Sequence, residues 1–384
     1  MKRVAFAAIA ALAIGGPVMR PAFALPTMVR LGYANCAACH NAPQGAGLLN
    51  AYGRGIDQAQ SFKGGEYKQS TNALASALSW GDRITQDFRF IGQETVSTNT
   101  GAPILGANRN RFMYRNATEL GKGFRLTATI VGETLAAARP NNAYDPATKA
   151  TEVYVPTALI SYRAKDTLEF SFGRDELPTG INLPDLGIYV RARNQYGYYD
   201  APTQFKAFIW GKRYLINPYV FGPGGNEKAG FHESGGGMLA EVDVLGHGKT
   251  VVGVNGFHGV SHMRDRTMIG PYVRLGFGRW GIFAEHDVTD RTMNQVANAA
   301  PFRQHTSYAQ VFLAVREWLV PSVGFEQVSV HRPYRENLVA PRFELSARLS
   351  SNFTLGFSSR IQENEITGKV GPSVAVSLTM KTVR

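Results

Sequence analysis

The sequence predicts an all-β chain: a transmembrane antiparallel β-barrel of about 16 strands, with a short helical segment at its N-terminus acting as a plug. Three observations carry this. Apolar and polar side chains alternate with a period of two from about Arg83 to the end. Helical patterning is sparse over those roughly 300 residues, and about 10 residues per strand gives about 16 strands. The composition agrees: 22 Phe and 16 Tyr among 384 residues favour strands. Charged residues at 18%, with 41 Gly, exclude a disordered or coiled-coil chain.

The N-terminus reads as an export signal over residues 1–24. Lys2 and Arg3 precede an apolar run from Val4 to Gly16, and Ala22-Phe23-Ala24 has the small-x-small cleavage pattern, so the mature chain is expected to begin at Leu25. About 13 apolar residues are too few to span a bilayer as a helix.

Residues 25–80 are expected to form a monohaem segment. Cys36-Ala37-Ala38-Cys39-His40 has C-x-x-C-H spacing, which brings two thiols to the two vinyl groups of one haem edge and an imidazole to the iron. One covalently attached haem c is therefore expected on Cys36 and Cys39, with His40 as an axial ligand. These are the chain's two cysteines, so a disulfide framework is excluded, and a zinc site would need a second ligand pair. Leu48, Leu49, Tyr52 and Ile56 share one face of a short helix, with Arg54 and Asp57 elsewhere. That face can cover a porphyrin or pack on protein. Residues 41–112 contain neither Met nor His. A second axial ligand would then come from Met28, Met113, His258, His262 or His286; water or an open position is the alternative.

Residues 81–384 are expected to form the barrel. Phe124, Leu126, Ala128 and Ile130 oppose Arg125, Thr127, Thr129 and Glu133; Val273, Leu275 and Phe277 oppose Tyr272, Arg274 and Gly276. The same pattern runs through Leu168–Phe172, Phe343–Leu349, Phe353–Ile361 and Val374–Met380, while 109–118 is an uncertain strand. Tyr154, Tyr162, Tyr189, Tyr219 and Tyr272 fit interfacial girdles. Loops are expected at Ala137–Thr151, Asp175–Leu186, Gly222–Gly237 and Thr289–His305. Arg89, Arg125, Arg274, Arg342, Arg348 and Arg360 fall on polar faces. Lining a lumen, they can pair haem propionates, or acids such as Glu133, Glu169 and Glu344. The formal charge is +12, but its basic residues are spread over strands, which argues against nucleic acid as a partner.

An exported chain with one C-x-x-C-H near the mature N-terminus and about 16 amphipathic strands resembles the fused monohaem cytochrome–porins, the outer-membrane cytochromes of iron-oxidising bacteria. In specific residues the resemblance rests on Cys36, Cys39 and His40, and loosely on Leu48–Ile56. It implies an outer-membrane electron carrier, iron(II) oxidase-like, with an extracellular redox partner such as Fe(II), periplasmic electron carriers and outer-membrane lipids as its surroundings. Two other functions remain open at this stage: a porin or binding protein whose haem segment is a structural plug, and a soluble periplasmic haem protein.

Overall fold

The computed structural model describes residues 26–33, 36–41, 48–62, 83–97, 104–105, 109–134, 151–181, 188–194, 201–224, 232–294, 301–332, 336–350, 352–363 and 370–383. The expected signal peptide lies outside them. Seventeen strands follow in order: β1 (Ile84–Ser97), β2 (Ile104–Leu105), β3 (Arg109–Gly121), β4 (Phe124–Thr134), β5 (Thr151–Lys165), β6 (Leu168–Arg174), β7 (Thr203–Trp210), β8 (Tyr214–Gly222), β9 (Glu233–Asp243), β10 (Thr250–Ser261), β11 (Arg264–Phe277), β12 (Trp280–Met293), β13 (Phe302–Leu313), β14 (Leu319–Arg332), β15 (Glu336–Arg348), β16 (Phe353–Glu363) and β17 (Val370–Val383). Helices α1 (Ala51–Ala59) and α2 (Tyr189–Ala192) and two 3-10 turns, Pro26–Leu31 and Cys36–Ala38, complete the described elements.

Each strand pairs antiparallel with its sequence neighbours, except that β2 is a two-residue addition to the end of β1. The ring closes where β1 pairs with β3 on one edge and β17 on the other, from Asp87↔Val383 to Ser97↔Ser373. Sixteen strands thus form a closed barrel with no free edge, the arrangement that satisfies every strand's backbone without water. The uncertain stretch 109–118 is a full strand, β3.

Parity along the strands decides what faces in. Phe124, Tyr162, Tyr214, Phe277, Trp280 and Phe353 are exposed on the outside near one rim, forming an aromatic girdle, and Val, Leu and Ile fill the outward positions above them. Arg125, Glu169, Arg274 and Arg342 are buried on the inside. An apolar outside on a closed barrel suits lipid, which removes the soluble periplasmic reading. Of the five girdle tyrosines expected from sequence, only Tyr162 faces out. Tyr154, Tyr219 and Tyr272 are buried inside, and Tyr189 lies on α2. Tyr272 has the parity of Arg274, so its direction follows from the alternation and not from its place near a strand end.

The connections 122–123, 166–167, 211–213, 244–249, 278–279, 314–318 and 349–352 are short and share one rim. The longer ones share the other, so by the usual asymmetry of such barrels the short turns face the periplasm. Two expected loops shrink. β9 begins at Glu233 and incorporates Gly235–Gly237, and β12 and β13 take up most of Thr289–His305. The connection between β6 and β7 is longer than expected, and its described residues 175–181 and 188–194 lie in the lumen. The Ile181 N–H donates to Glu285 Oε2 at 2.9 Å, the Tyr189 N–H to Glu326 Oε2 at 2.6 Å, and Asn194 Nδ2 to Asp287 Oδ2 at 2.8 Å. Gly180 allows this approach. Its φ is +51°, and a Cβ there would overlap the Glu285 carboxylate.

Candidate functional site

The N-terminal segment enters the lumen from the short-turn rim. Its first 3-10 turn lies along β11, where a Cβ on Gly276 would overlap the Arg30 backbone. Val29 is fully buried, in one apolar cluster with Ile181, Ile188 and Val190 of the inward connection and Phe208, Phe283 and Phe312 of the wall. The two inserted segments therefore meet in an apolar zone inside the barrel. Leu31, Tyr33 and Ile56 pack against the same cluster.

The C-x-x-C-H sequence forms one tight turn. The N–H groups of Cys39 and His40 both donate to the Cys36 carbonyl, at 3.2 and 3.0 Å. His40 then bridges to Leu49 in a short antiparallel contact, and the Asn41 N–H donates to the Leu48 carbonyl at 2.9 Å. Asn50 ties this turn to α1. Its Nδ2 donates to the Ala38 carbonyl at 3.1 Å, its backbone N–H to the Cys39 carbonyl at 2.9 Å, and its Oδ1 accepts from the Gly53 N–H at 2.8 Å, which is an N-cap. Four residues of polar bonding thus fix the start of α1 to the cysteine pair.

Cys36 and Cys39 are free thiols in this fold. Cys36 sits beside the Arg274 guanidinium, which pairs with Glu241 at 2.6 Å; Tyr272 also donates to Glu241, at 2.7 Å. Burial nevertheless pushes the Cys36 thiol up, and burial together with Cys36 pushes the Cys39 thiol up. Raised thiols are unlike reactive or thiolate-ligating cysteines. Among the described residues no trio of His, Cys, Asp or Glu is arranged to hold a bare metal ion. The donor set, two thiols and an imidazole on one turn, fits a thioether-linked haem.

Helix α1 departs from its expected facing. Leu48 is buried and Ile56 packs inward, but Tyr52 is exposed and joins Tyr33 in a hydroxyl–hydroxyl hydrogen bond. That bond, then burial, pushes the Tyr33 hydroxyl up to about 12. Asp57, expected away from the apolar face, is buried against the wall. It pairs with Arg348 at 3.0 Å and with Lys381. Burial disfavours its charge, but Arg348, Lys381 and the Lys381 hydrogen bond outweigh burial and hold the carboxyl below the ordinary range. The Phe62 N–H, just beyond α1, donates to the Arg348 carbonyl at 2.9 Å.

The candidate second ligands separate by parity. His258 and His286 are on the outer face, bonded to Thr267 at 2.8 Å and Ser307 at 2.9 Å, and so point away from the lumen. His262 is exposed in the 262–263 turn at the loop rim. Met113 is buried inside with Val131 and Tyr154. Met28 lies in the first 3-10 turn, and its side chain is outside the described set. The six polar-face arginines do line the lumen, each with an acid. Arg125 pairs with Glu169 at 2.6 Å, Arg274 with Glu241 at 2.6 Å and Arg348 with Asp57 at 3.0 Å. Arg342 pairs with Glu326 at 2.5 Å and with Glu344; Arg360 also reaches Glu326, at 3.4 Å, and Arg89 reaches Asp87 at 3.1 Å. Glu133 is taken by Arg111 at 2.8 Å, outside the expected six.

No family model matches the chain, and no curated protein matches it in sequence. Solved structures match in fold. A loop L8 deletion mutant of OmpT, an outer membrane protein of Vibrio cholerae, is 11% identical with a TM-score of 0.57, covering 78% of this chain and 100% of that one. An anion-selective porin from Comamonas acidovorans is 12% identical with a TM-score of 0.55, covering 78% of this chain and 99% of that one. The fold is that of porin-like barrels, and with its apolar belt it places the chain in an outer membrane.

Proposed function

We propose that this chain is an outer-membrane electron carrier in which Cys36 and Cys39 hold one haem c and His40 supplies an axial nitrogen. One observation supports the reading above the rest: Cys36, Cys39 and His40 are brought onto one preformed turn, beside an apolar cluster inside the barrel. An open water channel would want polar walls at its narrowest point; a macrocycle wants apolar ones. When bound, the haem supplies one-electron exchange at membrane depth. The chain's own residues tether it through Cys36 and Cys39, exclude water with Val29, Ile181 and Val190, and lock the segment by Asp57. Arg274, held by Glu241 beside Cys36, would flank the thioether edge of the group. Met28 and Met113 remain as second ligands. Electrons would pass between an extracellular partner such as Fe(II) and periplasmic carriers.

The test is to express the chain with haem-maturation machinery, reconstitute it in liposomes loaded with an oxidised dye, and add external Fe(II). Dye reduction that disappears in Cys36→Ala supports the proposal; a haem that cannot be reduced sinks it. A second reading, a porin with a structural plug, is favoured by the fold shared with an anion-selective porin. Planar-bilayer conductance that is unchanged by Cys36→Ala would decide for it.

A further inference from the structure

The two rims of the barrel differ in charge. In the sequence, the loop-rim connections 98–108, 135–150, 175–202, 223–232, 262–263, 294–301, 333–335 and 364–369 balance seven Lys or Arg against seven Asp or Glu. The short turns carry six basic residues against two acids, Asp166 and Glu317. Lys122, Lys212, Arg213, Lys249 and Arg316 are exposed there, while Glu317 is half-buried and faces Arg30. Lys165, the last residue of β5, adds to the same rim. The charges come from five different turns, so they form a ring and not a run.

Inside that ring the N-terminal segment presents aromatic surface. Tyr52 is 51% exposed and Phe62 60%, and Phe62 sits edge-on to Trp318 of the 314–318 turn with ring centroids 4.9 Å apart. Both belong to the segment that carries Cys36–His40. An aromatic centre surrounded by like charges is how a protein interface combines a hot spot with electrostatic steering. Lipid headgroups can neutralise cations on the outside of the rim. They cannot reach Tyr52 and Phe62, which belong to a segment enclosed by the strands.

We infer that the short-turn rim is a docking face for a soluble, acidic electron-carrier protein, which binds with its charged surface on the Lys/Arg ring and its contact centre on Tyr52 and Phe62. This rests on the proposed function and adds the chemistry of the partner. A basic carrier would be repelled, and the loop-rim connections offer a partner no net charge of either sign.

The test uses the full chain in nanodiscs, an acidic flavodoxin and a basic cytochrome c as probes, and calorimetry over a salt series. Flavodoxin is expected to bind and to weaken at least about tenfold between low and physiological salt, while the cytochrome does not bind. Reversing four charges, Lys212→Glu, Arg213→Glu, Lys249→Glu and Arg316→Glu, is expected to invert that preference, and Phe62→Ala to weaken flavodoxin without changing the salt slope. Equal binding of both probes, or binding indifferent to salt, overturns the inference. So does a charge-reversed variant that changes only the association with phosphatidylglycerol vesicles, since lipid is then the occupant. Should the fourfold variant not fold, the salt series on the unaltered chain decides alone. Salt-dependent flavodoxin binding by a chain that acquires no covalent haem keeps the docking face and overturns the proposed function. Covalent haem without such binding does the reverse.

Discussion

Among the described residues, two segments enter the lumen, and they are held by different forces. The inward connection from the loop rim hangs on carboxylates of the wall. Glu285 and Glu326 accept its backbone N–H groups, and Asp287 accepts the Asn194 amide. The N-terminal segment is seated by close backbone packing at Gly276 and one ion-pair cluster, Asp57 with Arg348 and Lys381. The first arrangement is spread over two wall strands, β12 and β14. The second adds to its apolar contacts one ionised latch, Asp57, and one close approach at Gly276, and these are where acid or a single substitution should act on it.

The largest effect should come from the loop side. Glu326 is fully buried, holds Tyr189 and pairs with both Arg342 and Arg360. Glu326→Gln removes the charge shared by buried Arg342 and partly exposed Arg360, with Glu344 left to Arg342, and a loss of about 3 kcal/mol is expected in urea unfolding of the barrel. An unchanged midpoint would mean that water reaches this pair freely.

Gly276→Val should act on the other segment alone. The added side chain overlaps the Arg30 backbone, so an overpacking cost of about 1–3 kcal/mol is expected to fall on plug docking and not on the barrel. Faster trypsin cleavage before residue 62, with heat-modifiable gel mobility retained, is the expected pattern. Protection equal to the parent would place the segment elsewhere.

The pH dependence follows from Asp57. Its folded carboxyl is held below the ordinary range, so its contribution is full above the unfolded value of about 4 and is lost as pH falls through the folded value. Plug docking should be constant from neutral down to about pH 5 and weaken only in stronger acid. Asp57→Asn should bring the acid behaviour to neutral pH, at about 1–3 kcal/mol. Cleavage rates that rise near pH 7 in the parent would point to a histidine instead.

The smallest effect belongs to the outer wall. Arg303 and Asp290 pair at 2.7 Å but are 56% and 43% exposed. Arg303→Ala should leave the urea midpoint of the barrel where the parent has it, since the pair is exposed to solvent.

The barrel was legible because lipid and lumen impose a period of two on every strand, and the alternation of Phe124–Glu133 or Tyr272–Phe277 survives local composition. The C-x-x-C-H spacing implies one short turn, and Cys36–His40 forms one. What composition suggested against parity was misleading. Tyr154, Tyr219 and Tyr272 resemble girdle residues but face inward. Gly235–Gly237 resembles a loop but continues β9, because the Tyr219 ring occupies the space a side chain at Gly237 would need. Thr289–Met293 looks like loop sequence, yet Asp290 finds Arg303 across the strand pair. Asp57 could not be read as a latch, since its partners Arg348 and Lys381 lie 291 and 324 residues away. The inward placement of residues 175–181 and 188–194 was hidden for the same reason, its anchors being on β12 and β14.

The central claim is that the turn at Cys36–His40 carries a haem inside this barrel. The direct measurement is the haem absorbance of the denatured, purified chain after co-expression with haem-maturation machinery, beside a control c-type cytochrome. One covalent haem per chain, absent from the Cys36→Ala, Cys39→Ala double variant, is the expected result. A colourless chain beside a fully loaded control would contradict it.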